Sequence, residues 1–247
     1  MNINTESHFS ELPSVEIGRS IMDLSHGNKT SGNIGDLLIG DCIEILPGDT
    51  FKVVTSKVIR LQTLVAPIMD NLWCDSYWFF VPNRLVWNHW KEFCGENTAS
   101  PWIPAASYSI PTISSPSGGF AVNSIADYLH YPVGISWSAT DKMAPSALPF
   151  RGYALICNEF FRDQNVTYPL NIPLGDSNQT GSNGTNFIND VANGGMPFKA
   201  AKAHDYFTSC LPAPQKGPSV SFDLINNNQA PVITGSDNST GAHDQNQ

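Results

Sequence analysis

Leu72-Trp-Cys-Asp-Ser-Tyr-Trp-Phe-Phe-Val81, followed without a gap by Pro82-Asn-Arg-Leu-Val-Trp87, decides how this chain is read. Successive side chains of an extended backbone point to opposite faces, so Leu72, Cys74, Trp78 and Phe80 share one face and Trp73, Tyr77, Phe79 and Val81 the other. Both faces of this predicted strand are apolar, and both must be covered. An opposing sheet covers only one, which leaves helices, loops or a neighbouring subunit for the second. At Pro82 the period changes: Asn83 is placed to cap a short helix, Val86, Trp90, Phe93 and Cys94 fall on one stripe, and Gly95 ends it.

Upstream, Leu46-Pro-Gly-Asp49 is a turn signal, and the β-branched run Thr50 to Leu61 predicts a strand with a bulge near Ser56, where alternation slips. Residues 1–40 mix polar residues with glycines and show no sustained period, which reads as an extended arm that needs a partner to order it. Downstream, the Pro- and Ser-rich stretch 98–119 reads as a long loop. From about Pro149 to Gln164, Tyr153, Ile156, Cys157, Phe160 and Phe161 recur at helical spacing, so a helix with one buried face is expected. Residues 168–197, rich in Gly, Asn and Ser, read as a surface insertion. Order resumes over Phe198 to Leu211, breaks at the Pro-rich run from Pro212 to Pro218, and returns as a strand over Val220 to Ile225. The domain plan is therefore an arm (1–40), one domain (41–225) with insertions around 98–119 and 168–197, and a polar low-complexity end or the start of another insertion (226–247).

Composition agrees with a turn-rich β domain. Gly 19 and Pro 18 supply punctuation, while only 14% of the 247 residues are charged, against roughly 25% in an average soluble chain. Scarce charge together with 11% aromatic residues favours burial of subunit faces in an oligomer. A net charge of −9, with no Lys or Arg in residues 1–18 or after Lys216, argues against direct wrapping of a nucleic acid. If nucleic acid is nearby, another, basic protein is expected to carry the neutralising charge.

The five cysteines, Cys42, Cys74, Cys94, Cys157 and Cys210, lack CxxC or Cys/His spacing and are expected to be reduced and mostly buried. The opening MNINTESHFSELPS has no apolar core of a secretory signal, and no run approaches the ~20 apolar residues of a membrane span, so assembly in a cytoplasm is expected.

Chemistry is sparse. Asp70 with Asp75, or Glu92 with Glu96, are the carboxylate pairs to weigh for acid–base work, but the first looks like a turn and the second flanks a helix end. His8, His26, His89, His130, His204 and His243 are scattered singly, with no HExxH or HxH. Ser117-Gly-Gly119 lacks the strand and lysine of a nucleophile elbow or phosphate loop and reads as a turn. Trp73, Tyr77, Trp78, Phe79, Phe80, Trp87 and Trp90 are read as core; a stacking groove for bases or sugars would bring cations, and only Arg84 and Lys91 are near. No catalytic, cofactor-binding or metal-ligating residue is assigned, and no enzyme activity is expected.

Leu46-Pro-Gly-Asp-Thr-Phe-Lys52, Pro67-Ile-Met-Asp-Asn-Leu72 and Tyr77-Trp-Phe-Phe-Val-Pro-Asn-Arg-Leu-Val-Trp87 resemble, in this order, the major capsid proteins of gokushoviruses, single-stranded DNA phages of the Microviridae. Ser25 to Thr30, Leu148-Pro-Phe-Arg-Gly-Tyr153, Asn158 to Asn165, Asp205 to Ser209 and Pro214-Gln-Lys-Gly217 are similar to further blocks of that family. The resemblance implies a mainly β fold, a viral jelly-roll sandwich of antiparallel strands with long insertions and a few short helices, assembled in many copies into a small icosahedral (T=1) shell around single-stranded DNA. It also implies a virion location, a homo-oligomer, contact with a small basic DNA-associated protein, only indirect contact with DNA, a host surface receptor as a further partner, and no membrane. Family members run to about twice this length, so the sandwich is expected to be incomplete. Deleting residues 1–40 is expected to block assembly while leaving the sandwich folded. The rival reading is a jelly-roll carbohydrate- or receptor-binding module that works as a monomer through an exposed aromatic platform.

Overall fold

A computed structural model of the chain describes residues 18, 20–97, 106–142, 144–211 and 217. Its main core surrounds one helix. Helix α3 (Leu148–Ile156; α1 and α2 are defined below) begins with Pro149 in its first turn, where a missing N–H costs nothing, and continues as a π-helical turn over Cys157–Phe161. Phe150, Arg151, Ala154 and Cys157 are buried, at spacings of three and four. The expected stripe is therefore corrected: Tyr153 and Ile156 are half-buried and Phe160 is 67% exposed. The wider π turn, closed by Arg162 N–H donating to Cys157 O at 2.8 Å, rotates the residues beyond Cys157 away from the helical stripe.

The core around α3 is assembled from distant segments: Ile113, Phe120, Ile125, Phe150, Leu170, Val191 and Phe198 belong to one buried cluster. Helix α2 (Ile125–Tyr128) is capped by Ser124, whose Oγ accepts from Asp127 N–H at 3.3 Å, while Asp127 reaches back to accept from Asn123 N–H at 2.7 Å. Two-residue strands β1 (Ile113–Ser114) and β2 (Gln179–Thr180) pair in parallel, Ile113 opposite Gln179. Both lie in stretches expected as loop or surface insertion. Those stretches instead contribute core walls, with Ile113 at 0% and Val191 at 1% exposure. Residues 98–105 of the first stretch lie outside the described residues.

The expected turns form. Asp49 N–H donates to Leu46 O at 3.2 Å with Gly48 at φ +87°. Gly119 N–H donates to Pro116 O at 2.9 Å. A Cβ at Gly119 would stand 2.4 Å from Ile135 N, so the approach of those two segments demands glycine there.

Thr50 to Leu61 and Leu72 to Val81 adopt no paired strand among the described residues; they run as unladdered chain with mostly exposed side chains. A strand is stabilised by cross-strand bonds and side-chain pairs, so sequence preference alone does not make a sheet. The bulge near Ser56 accordingly has no ladder to interrupt. The single helix expected from Asn83 to Gly95 is split into a 3₁₀ turn (Asn83–Leu85), which follows Pro82 and in which Asn83 is the first residue and not a side-chain cap, and α1 (Trp90–Phe93). Between them Asn88 N–H donates to Leu174 O at 3.1 Å, a tertiary bond that replaces a helical one. The predicted end holds: Gly95 has φ +102°, its N–H donates to Glu92 O at 3.0 Å, and Glu96 N–H donates to Lys91 O at 3.0 Å.

The arm is rooted. Leu37 and Ile39 pack against the core cluster, and Asp36 pairs with Lys199 in an antiparallel bridge. Phe198 belongs to the core, whereas residues 199–211 are exposed. The strand expected over 220–225 and the polar end 226–247 lie outside the described residues.

Candidate assembly surface

Two anchors hold an otherwise open apolar face. At the first, Trp87 is fully buried and its indole Nε1–H donates to Asp176 Oδ1 at 2.7 Å. His89 Nδ1 approaches the same oxygen at 2.8 Å, with its ring stacked on Tyr108 at 4.3 Å. Hydrogen bonds from His89 and then Trp87 hold the Asp176 carboxyl below the usual carboxylate range. Arg151, also at 0% exposure, donates through Nη1 to Val86 O and Gly175 O, each at 3.1 Å. Burial lowers its pKa and the Asp176 charge opposes that shift. Its Nε and Nη2 have no hydrogen-bond partner among the described residues. Arg151 thus ties α3 to the 82–87 turn and to the loop before β2.

At the second anchor, Tyr153 Oη donates to Leu37 O at 2.7 Å and accepts from Phe198 N–H at 3.1 Å. Leu37 N–H donates to Phe198 O at 2.8 Å, Ala200 N–H to Gly35 O at 2.8 Å, and Lys199 Nζ meets Asp36 Oδ1 at 2.7 Å. Burial raises the Tyr153 phenol well above its ordinary pKa, so it stays a donor.

Between these anchors runs the chain that the sequence placed in the core. Trp87 is buried as expected, but Trp73 is 84%, Trp78 61% and Phe80 70% exposed. On the odd-numbered side, Phe79 meets Phe160 at 4.7 Å and Tyr77 meets Phe161 edge-on at 5.4 Å. On the even-numbered side Trp78 and Phe80 open into a groove of about 730 Å³ with Leu85, Leu155 and Phe160 along its walls. Upstream the exposed apolar band continues through Val54 (84%), Val58 (99%) and Ile59 (61%). Sequence alternation identified the side chains but not which would be left open.

The remaining candidate groups stay apart. Asp70 Oδ1 accepts from Asn71 N–H at 2.7 Å, and Glu96 faces Lys91 at 3.9 Å. His26, His89 and His204 each sit beside one carboxylate, of Asp41, Asp176 and Asp163 respectively; His8 and His243 lie outside the described residues. No group of three metal-binding side chains forms among the described residues, and no described helix is long and apolar enough to cross a membrane. The cysteines are free, but the expectation that most are buried is corrected: Cys157 is buried, and Cys42, Cys74, Cys94 and Cys210 are exposed because their segments lie outside the core. Burial pushes the Cys157 thiol up to about 12.

The chain is 39% identical over 230 residues to the capsid protein VP1 of Chlamydia phage 1, an alignment that covers 89% of this chain and 37% of that protein. It is 40% identical to the capsid protein VP1 of Bdellovibrio phage phiMH2K, covering 93% of this chain and 39% of the relative. With the capsid protein VP1 of Spiroplasma virus 4 the identity is 37%, over 94% of this chain and 41% of the relative. The chain thus spans roughly two fifths of the length of the relatives it matches. A family model described as capsid protein (F protein) matches residues 10–246, and the chain belongs to that capsid family.

Proposed function

We propose that the chain is a shell-forming portion of a virion structural protein that works by self-association and carries no catalytic site. The observation that supports this most directly is the exposed apolar band from Val53 to Phe80, set beside a closed core. A monomer rarely leaves so long a run of Val, Ile, Trp and Phe in water; symmetry mates or later strands would cover it. In the jelly-roll reading, residues 50–61 and 72–81 are strands of the sandwich that gain ladder partners elsewhere in a longer protein. Partners under this proposal are other copies in a T=1 icosahedral shell, a small basic protein that meets the packaged single-stranded DNA, and a host surface receptor. The net charge of −9 supports indirect contact with the genome.

The test is expression of the reading frame that carries this chain, unaltered and with Trp78→Asp and Phe80→Asp together, followed by sedimentation and negative-stain electron microscopy. Particles from the unaltered protein, and folded but unassembled subunits from the double variant, are expected. Particles from both would remove the band from assembly. A stable monomer retained on a glycan array would instead favour the carbohydrate-binding module, for which Trp73 and Trp78 would be the platform.

A further inference from the structure

His26 lies in the arm, and both of its ring nitrogens face atoms that only accept hydrogen bonds. Nδ1 is 2.7 Å from Leu24 O, and Nε2 is 3.0 Å from Asp41 Oδ2. A neutral imidazole carries one N–H and one lone pair, so it satisfies one of these contacts and repels the other; only the imidazolium donates to both. The carboxylate is itself fixed, because Asp41 Oδ1 accepts from Cys42 N–H at 2.8 Å. Asn28 Nδ2 donates to Gly40 O at 3.1 Å and closes the same loop from inside. The far limb of that loop is clasped to the core through Asp36 and Leu37.

We infer that His26 and Asp41 form a proton-operated latch on the arm: with both ring nitrogens protonated the loop 26–41 is closed, and loss of one proton releases residue 26 and the chain before it. This goes beyond shell formation and does not depend on it.

The surrounding groups leave Asp41 as the partner that matters. Among the described residues it is the charged group acting on His26. Cys42, beside Asp41, is raised by desolvation from the atoms crowding its thiol and by the Asp41 charge although its side chain reaches the surface, Tyr131 is raised by burial, and both stay neutral through the range in which His26 titrates. Asp36 is occupied by Lys199, and Asp23 by Ser25. The direction of the His26 shift agrees: the bond to Leu24 O, then the Asp41 charge, raise it above 6.5. The latch is therefore fully closed below that ordinary value and opens as pH rises through the raised one.

The experiment is histidine titration by NMR on the whole chain, with His26 assigned by His26→Gln, alongside trypsin cleavage after Lys29. Lys29 lies within the loop, and cleavage after the exposed Lys57 in the same sample corrects for the pH dependence of the protease. We expect His26 to titrate above 6.5 and the Lys29-to-Lys57 cleavage ratio to rise severalfold between pH 6 and pH 8. Asp41→Asn should return His26 toward the ordinary value and flatten the ratio. Both side chains are partly exposed, so neither variant puts the core at risk. A His26 pKa at the ordinary value and unmoved by Asp41→Asn, or a cleavage ratio flat with pH in the unaltered chain, would overturn the inference.

Discussion

Replacing Tyr153 with Phe removes one oxygen and keeps the ring, so it isolates the clasp that roots the arm. The lost hydroxyl leaves Leu37 O and Phe198 N–H each without their bond to it. An unsatisfied buried polar group costs about 1–3 kcal/mol, and because Leu37 is half-exposed the lower end applies, giving about 2 kcal/mol for the two groups together. At about 1.4 kcal/mol per tenfold, local opening should become roughly 30-fold more frequent. The assay is amide hydrogen exchange at Leu37 and Ala200, whose N–H groups bond across the clasp to Phe198 O and Gly35 O. Exchange there should accelerate by about that factor, while Ile113, whose N–H donates to Pro145 O in the core, keeps its protection. Less than a threefold change at Leu37 and Ala200 would refute the reasoning, as would equal acceleration at Ile113, because the hydroxyl would then not act as a local tie.

Truncation should locate where the arm joins the core: removal of residues 1–30 leaves the melting temperature nearly unchanged, while removal of 1–40 lowers it by several degrees, because Leu37 and Ile39 leave the core with it. Maleimide labelling at pH 7, read by mass spectrometry, should modify Cys74, Cys94 and Cys210 readily and spare Cys157 until denaturant is added, since that thiol is buried with a pKa of about 12. Asp176 is held below its ordinary value of 3.8, so its contribution is present above that pH and fades as pH falls through the lowered one. Trp87 fluorescence should report loosening of the Asp176 loop in strong acid, and Asp176→Asn should show that loosening already at neutral pH.

Local signals in this sequence were read well where the structure they specify is local. Pro47 and Gly48 make the Leu46–Asp49 turn, Gly95 closes α1, and the run from Pro149 forms α3, because each depends on dihedral preferences and bonds within a few residues. Helix α2 was not read from the sequence; its signal, Ser124 and Asp127 at capping spacing, carries too little apolar periodicity to stand out. Family membership also lay in the sequence, since blocks such as Tyr77–Trp87 keep their order along the chain.

Burial was another matter. Nothing local marks the Gly- and Asn-rich stretch 168–197 as a core wall, and Val191 becomes buried only because α3 lies against it. Nor does alternation tell that Trp87 is enclosed while Trp73 and Phe80 stand open, because that depends on Asp176 and Arg151, residues more than sixty positions away. Turn positions, the stop at Gly95 and family membership lay in the sequence. Tertiary structure alone decided which apolar side chains are covered and where the arm is tied, since those contacts join segments up to 163 residues apart, as Asp36 and Lys199 do.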